Sequence, residues 1–73
     1  IAMTETELSP RQREIMQCLV NGMTQKSIAV HLGIQKGTVH KYIQRVIEKT
    51  GALSLTHCVA LLVFRGVVTP NSN

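Results

Sequence analysis

Between Thr24 and Thr50 the chain runs T-Q-K-S-I-A-V-H-L-G-I-Q-K-G-T-V-H-K-Y-I-Q-R-V-I-E-K-T. Two short amphipathic patterns with helical spacing lie in this stretch, broken at Gly33-Ile34. The first sets Ile28, Ala29 and Leu32 on one side. The second sets Val39, Ile43, Val46, Ile47 and Thr50 on one side, at the i, i+4, i+7, i+8 spacing of a helix stripe. The opposite side of the second pattern carries Gly37, Thr38, Lys41, Gln44, Arg45 and Glu48. Except for Gly37 and Glu48 these side chains are rich in hydrogen-bond donors.

That division limits what the rest of the chain can be. Seventy-three residues make one domain with a modest core. Tyr42 and Phe64 are the only aromatic residues, so the core is expected to be aliphatic. No sustained alternation and no Asn-Gly hairpin between β-branched runs is present, which argues against strands. The expected fold is all-α with four helices. Two of them form a helix-turn-helix, one face held by a small core and the other free to enter a DNA major groove.

Start and stop signals fix the remaining elements. Residues 1–7 show no periodicity and are expected to be a flexible lead-in. Ser9-Pro10-Arg11-Gln12 is a helix start, with Ser9 as cap, Pro10 at the first helical position and Gln12 completing a capping box. Ile15, Met16, Leu19 and Val20 follow as a core stripe, and Asn21-Gly22 ends the helix. Met23 is expected to plug the turn. Thr24 caps the second helix, which runs to Leu32 and stops at Gly33. The third helix covers about 35–50. Gln35 is a poor cap, and Gly37 lowers helix propensity in its first turn. Gly37 either lets the backbone approach a phosphate closely or is a tolerated residue in a frayed turn. Ser54 caps a fourth helix over Leu55 to Arg65, and Gly66 stops it. Val67 and Val68 are expected to fold back on the core. The domain thus spans 8–68, and 69–73 form a frayed tail.

Cys58 through Phe64 is apolar without a break. A helix hydrophobic all round must be buried on more than one side, which in so short a chain implies a partner surface. Val59, Leu62 and Val63 are expected to cover the core. Cys58, Leu61 and Arg65 then form a second stripe suited to a weak homodimer.

Charge points to a polyanion. The net charge is +4, and from Ile15 onward six Lys or Arg face one acid, Glu48. Lys41, Gln44, Arg45 and His40 are the candidates for base edges, since Lys and Arg donate to guanine and Gln pairs with adenine. His40 lies at the flank of the face, where it touches a phosphate or packs. Thr24, Gln25, Lys26, Lys36, Thr38 and Lys49 are the candidates for phosphate oxygens; short hydroxyls and amides at helix N-termini bind phosphate together with backbone N–H groups. Tyr42 either reaches a phosphate through its hydroxyl or packs.

Other chemistry finds no residues. Cys18 and Cys58 stand forty apart, which is not a zinc or redox spacing, and His31, His40 and His57 form no ligand cluster with them. Reduced thiols and a cytoplasmic location are expected, with no metal and no cofactor. Paired carboxylates, a Ser-His-Asp set and a phosphate-cradling Gly loop are all missing, so no enzyme is expected. Glu14 is expected to be a local ion-pair partner. No apolar run approaches the roughly 18 residues of a membrane span.

Four segments in order resemble the LuxR-type (GerE-like) DNA-binding domain of bacterial transcription regulators. L-S-P-R-Q-R-E-I-M is similar to the family's L-S/T-P-R-E-R-E-V-L. N-G-M-T-Q-K-S-I-A-V-H-L-G-I resembles G-x-S/T-N-K-E-I-A-x-x-L-x-I. G-T-V-H-K-Y-I-Q-R-V-I-E-K-T-G-A resembles x-T-V-K-x-H-x-x-x-I-x-x-K-L-x-V. S-L-T-H-C-V-A-L-L-V-F-R-G-V-V resembles S-R-x-x-A-V-x-x-A-x-x-x-G-L-I. The resemblance covers Leu8 to Val68. It implies a third helix in the major groove of double-stranded DNA, with His40, Lys41 and Gln44 at base-reading positions, a fourth helix that dimerises, and RNA polymerase as a further partner. The chain departs from the pattern at Gln12, where the family usually has Glu, at Gln35, where it has a Ser cap, and at Tyr42, where His is common. The competing expectation is a protein-interaction module on the same fold; the basic face argues against it.

Overall fold

A computed structural model describes residues 8–70. They form four helices, α1 (Pro10–Val20), α2 (Gln25–Leu32), α3 (Lys36–Thr50) and α4 (Leu55–Phe64), with no strand among the described residues. The lead-in expected over 1–7 and residues 71–73 lie outside the described residues.

Short-range chemistry sets the helix ends. Ser9 Oγ accepts from the Gln12 N–H at 3.1 Å, and Gln12 Oε1 accepts from the Ser9 N–H at 3.0 Å, which closes the capping box of α1. Thr24 and Ser54 cap α2 and α4 in the same way, each accepting from an N–H three residues on. The third helix differs: Gln35 makes no side-chain cap hydrogen bond. Gly33 and Gly51 end α2 and α3 in the left-handed conformation, at φ 68° and 73°. A Cβ is strained there, and the turn lets the Ile34 and Ala52 N–H groups return to the Ala29 and Ile47 carbonyls. The fourth helix ends at Phe64, one residue short of the expected bound, with Arg65 as its C-cap.

The core is aliphatic. Ile15 and Met16 of α1, Ile28 of α2, Val39, Ile43 and Val46 of α3, and Cys58 and Leu62 of α4 are buried together. Each large aliphatic buried this way contributes about 1.5–3 kcal/mol of transfer free energy. Val67 and Val68 fold back and close the core, as their apolar pairing after Gly66 predicts. Leu19, Val20 and Met23 are half-buried against it. α1 and α3 each pack against all of the other helices, and α3 does so most extensively, so it is the element around which the domain is built. Side-chain bonds across long separations tie down the periphery. Gln17 of α1 receives the Thr69 N–H on its Oε1 at 3.2 Å and donates its Nε2 to the Thr69 carbonyl, so the first residue of the expected tail is held to α1.

Among the described residues no single helix is long and apolar enough to cross a membrane. The one helix pair with the composition for it, α3 and α4, is bent by 62°.

Candidate nucleic-acid interface

The outward face of α3 is built by subtraction. Val39, Ile43 and Val46 are buried at the spacing of one stripe, so the residues about 100° and 180° away turn to solvent. Lys36, Thr38, His40, Lys41, Gln44, Arg45 and Lys49 are all exposed, and Tyr42 is half-buried at the edge. Thr24 and Lys26 are exposed at the start of α2, and Gln25 is half-buried. Between Thr24 and Thr50 five Lys or Arg stand against Glu48 alone. Such a face presents donors and positive charge.

Its residues do not all have the same surroundings. Thr38, Lys41, Tyr42 and Arg45 share an open notch of about 370 Å³ with Gln12 of α1. His40 and Gln44 lie outside it, His40 at the far flank and Gln44 on the outer face. Lys49 is engaged within the domain: its Nζ donates to Gln12 Oε1 at 3.0 Å. The Thr24 hydroxyl is also occupied, accepting from the Ser27 N–H and donating to Ser27 Oγ. Glu14 pairs with Arg11 at 3.2 Å, the local ion pair expected of it.

Sequence reasoning missed the reach of Gln12. It is 6% exposed, and its Oε1 serves both the α1 cap and the last turn of α3. The capping box marked the residue, but nothing local marks a partner 37 residues away.

On α4 the expected second stripe needs a correction. Cys58 does not belong to it. The thiol is fully buried beside Leu62, one helical turn on, and receives the Thr50 hydroxyl at 3.5 Å. Burial pushes the Cys58 thiol above its ordinary range, and the bond from Thr50 opposes this. An unbroken apolar run carries no periodicity, so residue type alone could not assign its inner side. The inner line is Leu55, Cys58, Val59, Leu62 and Val63, so Val59, Leu62 and Val63 cover the core as expected. The outer face carries His57, Ala60 and Phe64, with Leu61 half-buried at its flank and Arg65 exposed at its end. Phe64 is 89% exposed, and Leu53, just before the helix, 91%. No metal-ligating cluster is present among the described residues.

Comparison with known proteins agrees with this arrangement. Residues 6–62 match the family described as bacterial regulatory proteins, luxR family. The transcriptional regulatory protein FixJ of Azorhizobium caulinodans is 43% identical over 60 residues, which is 82% of this chain and 28% of that protein. FixJ of Bradyrhizobium diazoefficiens is 35% identical over 68 residues, 93% of this chain and 33% of that protein. The transcriptional regulatory protein YdfI of Bacillus subtilis is 29% identical over 65 residues, 89% of this chain and 30% of that protein. The chain therefore spans about a third or less of the length of these relatives. The family match covers most of the chain and coincides with the four helices found here: the chain belongs to the luxR family of bacterial regulatory proteins, as a helix-turn-helix domain.

Proposed function

We propose that this domain binds double-stranded DNA sequence-specifically as the output element of a bacterial transcription regulator. The observation that carries the reading is α3 itself. One side is locked into the core by Val39, Ile43 and Val46, while the other presents an acid-poor face of cations, amides and a hydroxyl. A helix held this way enters a major groove as a rigid body. His40, Lys41 and Gln44 then stand at base edges, with Arg45 beside them. Thr24, Gln25, Lys26, Lys36, Thr38 and Tyr42 face the sugar-phosphate backbone, which fixes register without reading sequence. Lys49 is the weakest of the phosphate candidates, because Gln12 already engages it.

Two copies pair through the outer face of α4, with Phe64, Leu61, Ala60 and Leu53 as the apolar contact and Arg65 at its border. Half-sites then fall about one helical turn apart. The relatives named as transcriptional regulators are about three times as long, which supports an output domain attached to further chain.

Selection of sites from random duplex DNA tests the base-reading assignment. Lys41→Ala and Gln44→Ala are expected to relax preference at separate positions, since a bidentate base contact discriminates by roughly 1–3 kcal/mol. Lys26→Ala is expected to weaken all sequences alike. Unchanged base preferences in the Lys41 and Gln44 variants contradict the assignment.

A further inference from the structure

We infer that Glu48, the one acid on the outward face of α3, is a base-reading residue that selects cytosine in the major groove. This rests on the DNA-binding reading and deepens it. It adds an acceptor to a face otherwise made of donors, and it assigns that acceptor a base.

Position comes first. Glu48 stands two and a half helical turns beyond the buried Val39, so its side chain leaves α3 on the side opposite the core. Lys41, Gln44, Arg45 and Glu48 are all exposed and form an i, i+3, i+4, i+7 set. A recognition helix that lies along the major groove reads bases at that spacing. From Lys41 to Glu48 the axis advances about 10 Å, close to three base-pair steps.

Nothing inside the domain explains the acid. Among the described residues the Glu48 side chain has no hydrogen-bond or ion-pair partner. Arg45, one turn back, does not pair with it, although the i, i+3 spacing allows a bridge. Glu48 also lies in the last turn of α3, where the helix dipole disfavours an anion. On a cationic face set against a polyanion, a carboxylate lowers affinity for DNA in general. An acceptor-only group with these costs has a use where a base offers a donor. In the major groove cytosine offers its N4 amino group with no acceptor beside it on the same base. Guanine offers two acceptors, and thymine an acceptor and a methyl group. Adenine sets its N6 donor next to the N7 acceptor, which repels a carboxylate. Cytosine alone satisfies Glu48, and every other base leaves a desolvated charge unpaired.

Glu48→Ala is the direct variant. The side chain is exposed and alanine suits a helix, so the melting temperature should not fall. Sites are selected from random duplex DNA with the 73-residue chain and with the variant. The wild type should require cytosine at one position. The variant should accept any base there and keep the preferences set by Lys41 and Gln44. The selected site is then rebuilt with that cytosine replaced by 2-pyrimidinone, which lacks only the amino group. By fluorescence anisotropy the wild type should lose about tenfold in affinity on the altered site, and the variant nothing. On duplexes without the site the variant should bind more tightly than the wild type. Glu48→Gln keeps the shape and adds a donor, so its preference should shift toward adenine; it gives a second readout should alanine disturb α3.

If wild type and variants select the same bases, and the variants bind every duplex more tightly by one factor, Glu48 only repels the backbone. The inference is then overturned and DNA binding stands. Equal loss on the 2-pyrimidinone site in wild type and Glu48→Ala overturns it as well, since another residue then reads the amino group. If the wild type binds no duplex at low salt, the DNA reading itself falls and the inference falls with it.

Discussion

α3 and α4 are both anchored to the same core by one side and both leave the other side open, but they open onto opposite chemistry. α3 buries Val39, Ile43 and Val46 and exposes Lys36, His40, Lys41, Gln44 and Arg45. α4 buries Cys58 and Leu62 and exposes Ala60 and Phe64, beside Leu53. Their termini differ too. Ser54 caps α4, whereas α3 starts without a side-chain cap. The free N–H groups and positive end of the α3 dipole are left facing outward, where an anion is favoured. The difference teaches that in this domain the core decides only how each helix is held. What each helix meets is set by its outer residues.

Removing the shared anchor has the largest expected effect. Leu62→Ala and Ile43→Ala each empty a fully enclosed site and should cost about 2–5 kcal/mol in chemical denaturation. In so small a core both changes should loosen α3 and α4 together. Helicity lost in one helix alone would break the picture of a common anchor.

A change on the outer face of α4 should separate the two helices cleanly. Phe64→Asp alters a side chain that is 89% exposed, so melting temperature should stay within a few degrees. Binding to a single half-site should be unchanged, and cooperativity on a paired site should disappear. Leu61→Asp should act likewise, because Leu61 is only half-buried and does not pack on the core. Retained cooperativity in both variants, measured by two-site isotherms, would assign the apolar face to something other than a second copy.

The caps give the smallest effects and sharpen the contrast. Ser54→Ala should destabilise by about 1 kcal/mol, since it strips the cap from α4. Gln35→Ser should stabilise by up to about 1 kcal/mol, since it supplies the cap that α3 lacks. Thermal melts of the two variants should shift in opposite directions. A loss of stability in Gln35→Ser would show that Gln35 has a role in the turn beyond capping.

What was legible in the sequence follows the range of each interaction. The caps at Ser9, Thr24 and Ser54 and the left-handed Gly33 and Gly51 act within a few residues, so residue type and order mark them. The core stripe of α3 was legible because polar residues interrupt it at the helical period. The inner side of α4 was not, because every residue from Cys58 to Phe64 is apolar and no period is written there. Burial then depends on how α4 lies against α3, which local pattern does not encode. The same holds for the Gln12–Lys49 and Gln17–Thr69 bonds, whose partners are 37 and 52 residues apart. The candidate interface was readable as a set of exposed donors. Its division into an outer face and a notch shared with α1 was not.

The salt dependence of binding to duplex DNA tests the central claim most directly. A helix face rich in Lys and Arg that replaces condensed counterions must lose affinity as salt rises. If each copy neutralises about five phosphates, the slope of log affinity against log salt should be about −4 to −5. A binding constant unchanged between low and moderate salt, or no binding to any duplex at low salt, would contradict the assignment of α3 to nucleic acid.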